Sequence, residues 1–302
     1  MSQDEESRLR DDAVLTGPSE LDQAFDTPFR SPVKPVKLSL DDTVQFNCHK
    51  GVACFNECCR NIDIQLTPCD ILRLRGRLGV SSSEFVARYT LPFEMDGHGM
   101  PGLKLATQPG SRACVFLEEE GCGVYEDRPV ACRYYALGSM GMRKTGESGV
   151  EDVYFLVKED HCLGHNEPRS LTVRDYRREQ GIEKYDEMNR EWRDAIIKKR
   201  SSGPAIGQPT ARSMQLFDMC SYDVDSFREF IQTPGFRDVF DVGGEEIESL
   251  AGDDEQLLEF AIRFMKQALF GENSIPVTDG ARERRLAQRK ALRAKHNARG
   301  SR

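Results

Sequence analysis

Eight of the ten cysteines fall between residues 48 and 162, as Cys48-x5-Cys54-x3-Cys58-Cys59, then Cys114, Cys122 and Cys132, then Cys162. Reduced thiols gathered this densely are useful chiefly as metal ligands. Adjacent side chains tend to point different ways, so Cys58 and Cys59 do not comfortably share one simple tetrahedral ion. Two neighbouring sites, or a polynuclear cluster, suit the pair better. The chain contains no Cys-x2-Cys knuckle, which argues against an ordinary zinc finger and against a thioredoxin-like redox motif. Asn61 stands where the Cys-x3-Cys-x2-Cys pattern of radical enzymes would need its third ligand.

Four early cysteines, three later ones and Cys162 make two complete sets of four. Four thiolates around Zn²⁺ or around a [4Fe-4S]²⁺ core leave a net charge of about −2, so cations are expected beside them. Arg128 and Arg133, flanking Cys132, are the candidates for that cofactor-side role, with ion pairing to Glu126 or Asp127 as the bland alternative. His49 adjoins Cys48, and His161 and His165 bracket Cys162, so each is a reserve ligand for a Cys3His site. His98 and His296 carry no such reading. Cys69 and Cys220 lie outside the constellation and read as small buried hydrophobes. No Gly-rich phosphate loop, nucleophile motif or catalytic carboxylate spacing is found.

Taken in order, Cys54-x3-Cys58-Cys59, the Leu-Thr-Pro-x-Asp-Ile helix start at Leu66 to Ile71, Cys114-x-Phe-Leu, Gly121-Cys122-x-Val-Tyr and Arg128-Pro-x-x-Cys132-Arg resemble the YkgJ-like cysteine-cluster family of zinc- or iron-chelating proteins. The likeness runs over roughly residues 44–165. It implies a cytoplasmic domain that binds zinc, iron or an iron-sulfur cluster, with no defined activity. A similar cysteine cluster occurs in flagellin lysine methylases. Cys48 departs from the family pattern by lying further from Cys54 than usual.

The elements that must position these thiols are mostly short. Ile62 to Leu66 alternates like a half-buried strand. Thr67, Pro68 and Asp70 form a helix start, which should run to Gly76 or Gly79, and Ser81 to Ser83 should cap a second helix through Phe85, Val86 and Tyr89. Leu103–Leu105 and Val153–Val157 are further strand candidates. Thr172 and Asp175 are spaced to cap one long helix reaching about Lys199, and 225–232 and 253–270 read as helices. The fold class expected is α+β, mainly helical with few short strands: a cysteine-rich domain stabilised by metal. The expected organisation is a disordered N-terminal segment over 1–36, with ordered structure from about Val36. The metal-binding domain with its long helix then spans 37–200, a linker 201–211, a helical region 212–272, and a basic tail 273–302.

Composition sets the remaining bounds. The chain is 302 residues long, 30% charged and 38% hydrophobic, with a net charge of −8. Residues 281–302 hold nine Arg or Lys against Glu283 alone, leaving the remainder near −16. That tail lacks aromatic residues for base stacking, so nucleic-acid binding is not expected of it. The acidic start has no signal-peptide core, and no apolar run approaches the ~20 residues of a membrane span. A cytoplasmic protein, with no membrane association and with an unidentified protein partner possible, is the expectation. Two functions compete. One is an iron-sulfur or iron/zinc protein in a redox or accessory role. The other is a zinc-stabilised interaction module without catalysis; whether the chain is an enzyme is left open.

Overall fold

A computed structural model describes residues 33–95, 99–143, 150–201 and 210–281, together with 283, 284 and 287. The acidic segment up to residue 32, most of the 201–211 linker, His98, His296 and most of the basic tail lie outside the described residues.

The chain forms two compact units interleaved in sequence: one from residues up to 64 and 107–185, the other from 65–106 and from 186 onward. The stretch 37–200 is therefore divided between them. All eight clustered cysteines belong to the first unit, and Cys69 and Cys220 to the second.

The first unit is built on an antiparallel sheet in the order Val33–Leu38, Val150–Val157, Leu137–Arg143. Its first strand opens at Val33, three residues before the expected start near Val36, because it pairs with the strand at 150–157 over the register Val33 to Val157. A second ribbon joins Thr43–Gln45 to Ser170–Thr172, and a two-residue hairpin joins Leu117–Glu118 to Gly121–Cys122. Val44, Phe46, Tyr134, Ala136, Leu137, Tyr154, Val173, Tyr176 and Ile182 form the core of this unit. Burying such side chains stabilises by roughly 1.5–3 kcal/mol each.

The expected long helix from Thr172 is three pieces: Val173–Glu179, Ile182–Met188 and Arg190–Ser201. Thr172 does cap the first, its hydroxyl accepting the Asp175 amide. The chain then breaks at Gly181, whose φ of +64° is a left-handed conformation that glycine adopts without a side-chain clash. An apolar stripe carries no information about such a break, which is why the stripe read as one helix.

The second unit carries the sheet Gln65–Leu66, Pro101–Leu105, Thr90–Glu94 and a set of helices. Thr67 caps Pro68–Leu78 as expected, and Asp70, expected only as a first-turn acid, completes a capping box with it; the helix ends at Gly79, and Ser81 caps Ser82–Tyr89. Of the strand expected from Ile62, only Gln65–Leu66 is paired in the sheet, while the Ile62 amide bonds to the Arg112 carbonyl. Ala211–Tyr222, Val224–Gln232, Gly244–Gly252 and Asp254–Phe270 complete the helices. Phe227, Phe230, Phe236, Phe240 and Phe264 interlock at ring-centre distances of 4.8–6.1 Å. Ile275 is 1% exposed, so the early part of the segment read as a tail is anchored. The molecule is thus a mainly helical α+β protein with short strands in small sheets.

Candidate metal centre

All ten cysteines are free thiols. Four of the clustered ones come from turns around the first core. Cys48 follows the strand that pairs with Ser170–Thr172. Cys54 accepts a hydrogen bond from the Glu57 amide on its carbonyl, and a single 3₁₀ turn over Glu57–Cys59 then presents Cys58 and Cys59. Asn56 starts that turn at φ +67°, a left-handed conformation that asparagine tolerates better than most residues. The Cys58 and Cys59 sulfurs are 3.9 Å apart.

Of the other four, Cys114 is joined to this turn by a backbone bond. The Cys114 amide donates to the Cys59 carbonyl at 2.8 Å, tying the two sequence groups together. Cys122 stands on the short hairpin opposite Leu117, and Gly121 before it has φ +133°. Cys132 sits in the helix Val130–Tyr134, entered from Pro129. Cys162 lies in the turn after Glu159, and the next amide, that of Leu163, donates to the Cys54 sulfur at 3.1 Å. The Phe116 amide likewise approaches the Cys114 sulfur at 3.4 Å. Amides aimed at sulfur favour its ionised, metal-binding form.

The electrostatics couple the thiols through Cys58. Partial desolvation, and then the charges of Cys58, Cys54 and Cys162, push the Cys48 thiol up to about 11, although its side chain still reaches solvent. Cys162 is raised by desolvation and then, among other groups, by Cys54 and Cys58. Cys59 is raised first by its hydrogen bond to Cys58, and also by the charges of Cys58, Cys132 and Cys114. Cys114 and Cys122 are raised by desolvation foremost; Cys122 and Cys58 add to the first, and Glu118 and Cys58 to the second. The same Cys58–Cys59 hydrogen bond lowers the Cys58 thiol. Cys54 thus acts on Cys48 and Cys162, Cys114 and Cys132 act on Cys59, and Cys58 acts on Cys48, Cys59, Cys114, Cys122 and Cys162 alike. Among the described residues, no three His, Cys, Asp or Glu side chains are placed as a group that could hold a metal ion.

The remaining candidates are placed as follows. Arg128 stacks over Tyr125 at 4.1 Å, donates to the Tyr125 carbonyl and to Gln180 Oε1, and its charge helps offset the rise at Cys122. Arg133 is buried at 8% exposure and donates to the carbonyls of Arg128, Gln180 and Glu126 and to the Tyr185 hydroxyl, with its guanidinium 4.4 Å from the Tyr185 ring centre. These contacts make it a clamp on the loop before Cys132. His49 pairs with Glu167 at 3.2 Å and accepts the Gly51 amide. His165 is buried, with Nε2 3.1 Å from the Val157 carbonyl, and His161 lies 3.7 Å from Glu159. Cys69 and Cys220 are 0% and 1% exposed, in keeping with small core residues.

Sequence reading overlooked Tyr135 and Glu159. The Tyr135 hydroxyl donates to Glu159 Oε2 at 2.7 Å and also bonds to Cys162, and the Glu159 charge acts on Cys58. The available signal was a carboxylate three residues before a cysteine in Glu159-Asp-His-Cys162.

The donor set is all sulfur, gathered from separated stretches, which suits zinc or iron. Residues 47–163, which include all eight clustered cysteines, match the family model CxxCxxCC, described as "Putative zinc- or iron-chelating domain". No curated protein and no solved structure matches the chain. Over residues 47–163 the chain is therefore similar to the CxxCxxCC family, a family described by zinc or iron chelation.

Proposed function

We propose that this protein binds zinc or iron at two adjacent positions that meet at Cys58 and Cys59. Cys48, Cys54, Cys58 and Cys162 would hold one, and Cys59, Cys114, Cys122 and Cys132 the other. The observation that carries this reading is the Cys58–Cys59 pair, 3.9 Å apart, with the Cys114 amide tied to the Cys59 carbonyl and the amide after Cys162 tied to the Cys54 sulfur. Arg128 would offset part of the negative charge that four thiolates bring. If the metal is an iron-sulfur cluster, it supplies electron storage, and the protein then serves electron transfer or a larger redox or modification system.

Ten free thiols support a reducing compartment such as the cytoplasm, and among the described residues no helix is long and apolar enough to cross a membrane. The shortness of the structure around the thiols favours a second reading. Two-residue strands and single 3₁₀ turns contribute little cohesion, so zinc would hold this region together as an interaction module without catalysis. Purification without oxygen separates the two. Brown protein with iron and acid-labile sulfide supports the redox form, and colourless protein holding zinc supports the structural one. Protein carrying neither metal, and taking up neither, contradicts both.

A further inference from the structure

The Cys58 sulfur lies 3.9 Å from that of Cys59 on the 3₁₀ turn Glu57–Cys59, and Cys58 is exposed to solvent. The Cys59 backbone is pinned on both sides: its amide donates to the Asn56 carbonyl at 2.9 Å, and its carbonyl accepts the Cys114 amide at 2.8 Å. Closing the gap to the roughly 2.05 Å of a disulfide therefore falls chiefly to the Cys58 side chain, which solvent leaves room to turn. Adjacent Cα atoms stand about 3.8 Å apart across a trans peptide, below the roughly 4.4–6.8 Å of ordinary disulfides. A bond between sequence neighbours is thus strained, and strained, exposed disulfides are the ones readily reduced again. Such a pair suits a reversible change rather than a permanent staple.

We infer that the Cys58–Cys59 pair is an oxidation site whose reactant is hydrogen peroxide, and that its closure to a disulfide empties the metal centre. The Cys58 thiolate attacks the peroxide; the O–O bond breaks, Cys58 becomes a sulfenic acid, and the departing hydroxide leaves as water with the proton that the thiol gave up. The Cys59 sulfur then attacks the Cys58 sulfur; the S–O bond breaks, the S–S bond forms, and a second hydroxide leaves as water with the Cys59 proton. The two thiols lose two electrons and the peroxide gains them. Two external thiols reverse the step by exchange. The consequence for metal rests on the function proposed above, in which Cys58 and Cys59 belong to different positions, so that one two-electron event removes a thiolate from each.

Hydrogen peroxide added to the zinc-free full chain, followed by alkylation, trypsin and fragment mass spectrometry, tests the closure. The peptide Gly51–Arg60 holds Cys54, Cys58 and Cys59. It should become lighter by two hydrogens at Cys58–Cys59 while Cys54 is alkylated, and all three thiols should be alkylated after treatment with dithiothreitol. Cys59→Ser should lose the closed product. The zinc-loaded chain given the same peroxide should release both ions together, read with a zinc-chelating dye, and rebind them after reduction. A peptide that keeps its three free thiols, or Cys58 joined to any other cysteine, overturns the oxidation site and leaves metal binding standing. Zinc retained after closure overturns the coupling to metal. Closure in a chain that takes up no zinc overturns the metal reading and leaves the oxidation site standing.

Discussion

The sulfur of Cys58 stands 3.9 Å from that of Cys59; Cys58 acts on Cys48, Cys162, Cys114 and Cys122, and Cys59 is acted on by Cys114 and Cys132. One 3₁₀ turn thus presents both adjacent thiols. In the proposed centre these sequence neighbours are the seam, and the distant cysteines are its two sides.

Substitutions should reproduce that division. Cys162→Ala and Cys132→Ala should each remove about one zinc ion per chain, from opposite sides, and Cys58→Ala should reduce both. Cys220→Ala should leave metal content unchanged and cost about 1 kcal/mol of stability as a small core truncation. Metal analysis of the four variants checks this; equal loss in all four contradicts the assignment.

The pH dependence of stability should differ between metal-free and loaded protein. In the folded metal-free chain, Cys48, Cys59, Cys114, Cys122 and Cys162 have pKa values raised above 9.0, with Cys48 at about 11. Groups raised in the folded state contribute stability that is full below the unfolded value and is lost as pH rises through the folded one. Cys58, lowered by its bond to Cys59, acts oppositely: its contribution is present above 9.0 and lost as pH falls through its folded value. With five groups against one, the metal-free protein should lose stability from about pH 9 towards 11. Zinc binding releases the thiol protons, so its affinity should rise with pH over the same interval. Urea unfolding and zinc titrations at several pH values measure both trends, and a metal-free protein that gains stability above pH 9 contradicts them.

Arg133 should matter to the fold whichever metal is bound. Its guanidinium joins the carbonyls of Glu126 and Arg128 to that of Gln180 and to Tyr185. Arg133→Ala removes a charged donor from these partly buried carbonyls and from the buried Tyr185 hydroxyl and should cost about 2 kcal/mol. Arg133→Lys should recover little, since an ammonium lacks the planar fork of donors. Denaturation of the metal-free variants measures this directly, and a loss below about 1 kcal/mol would mean that the clamp is redundant.

In the second unit, Asp225 accepts the Ser82 amide at 2.7 Å and pairs with Arg228 and Arg75. Burial alone would raise its carboxyl, but these partners hold it below its ordinary value of 3.8. Its contribution is therefore present above that value and lost as pH falls through the folded one. Asp225→Asn should lower stability at neutral pH by about 1–2 kcal/mol and flatten the acid side of the stability curve. Acid titration of both proteins, followed by helical circular dichroism, checks it.

Much of this was legible in the cysteine spacing and in local chemistry. Thr67-Pro68 and Asp70 carry a helix start in their side chains, and it forms where expected. Other features depended on contacts distant in sequence. Within the helical region expected over 212–272, the bounds of Ala211–Tyr222 and Gly244–Gly252 were not read, the second having no side-chain cap at Gly243. The segment 65–106 leaves the cysteine-bearing unit because its helices pack with those after residue 186, which no local pattern records. Glu159 became visible only when Tyr135 and Cys58 were brought beside it.

The most direct test is native mass spectrometry of the full chain titrated with zinc without oxygen, combined with alkylation of the thiols that remain accessible. The expected result is two bound ions, with Cys54, Cys58, Cys59, Cys114, Cys122, Cys132 and Cys162 protected together as they bind. No bound ion, or protection that ignores these cysteines, would contradict the account.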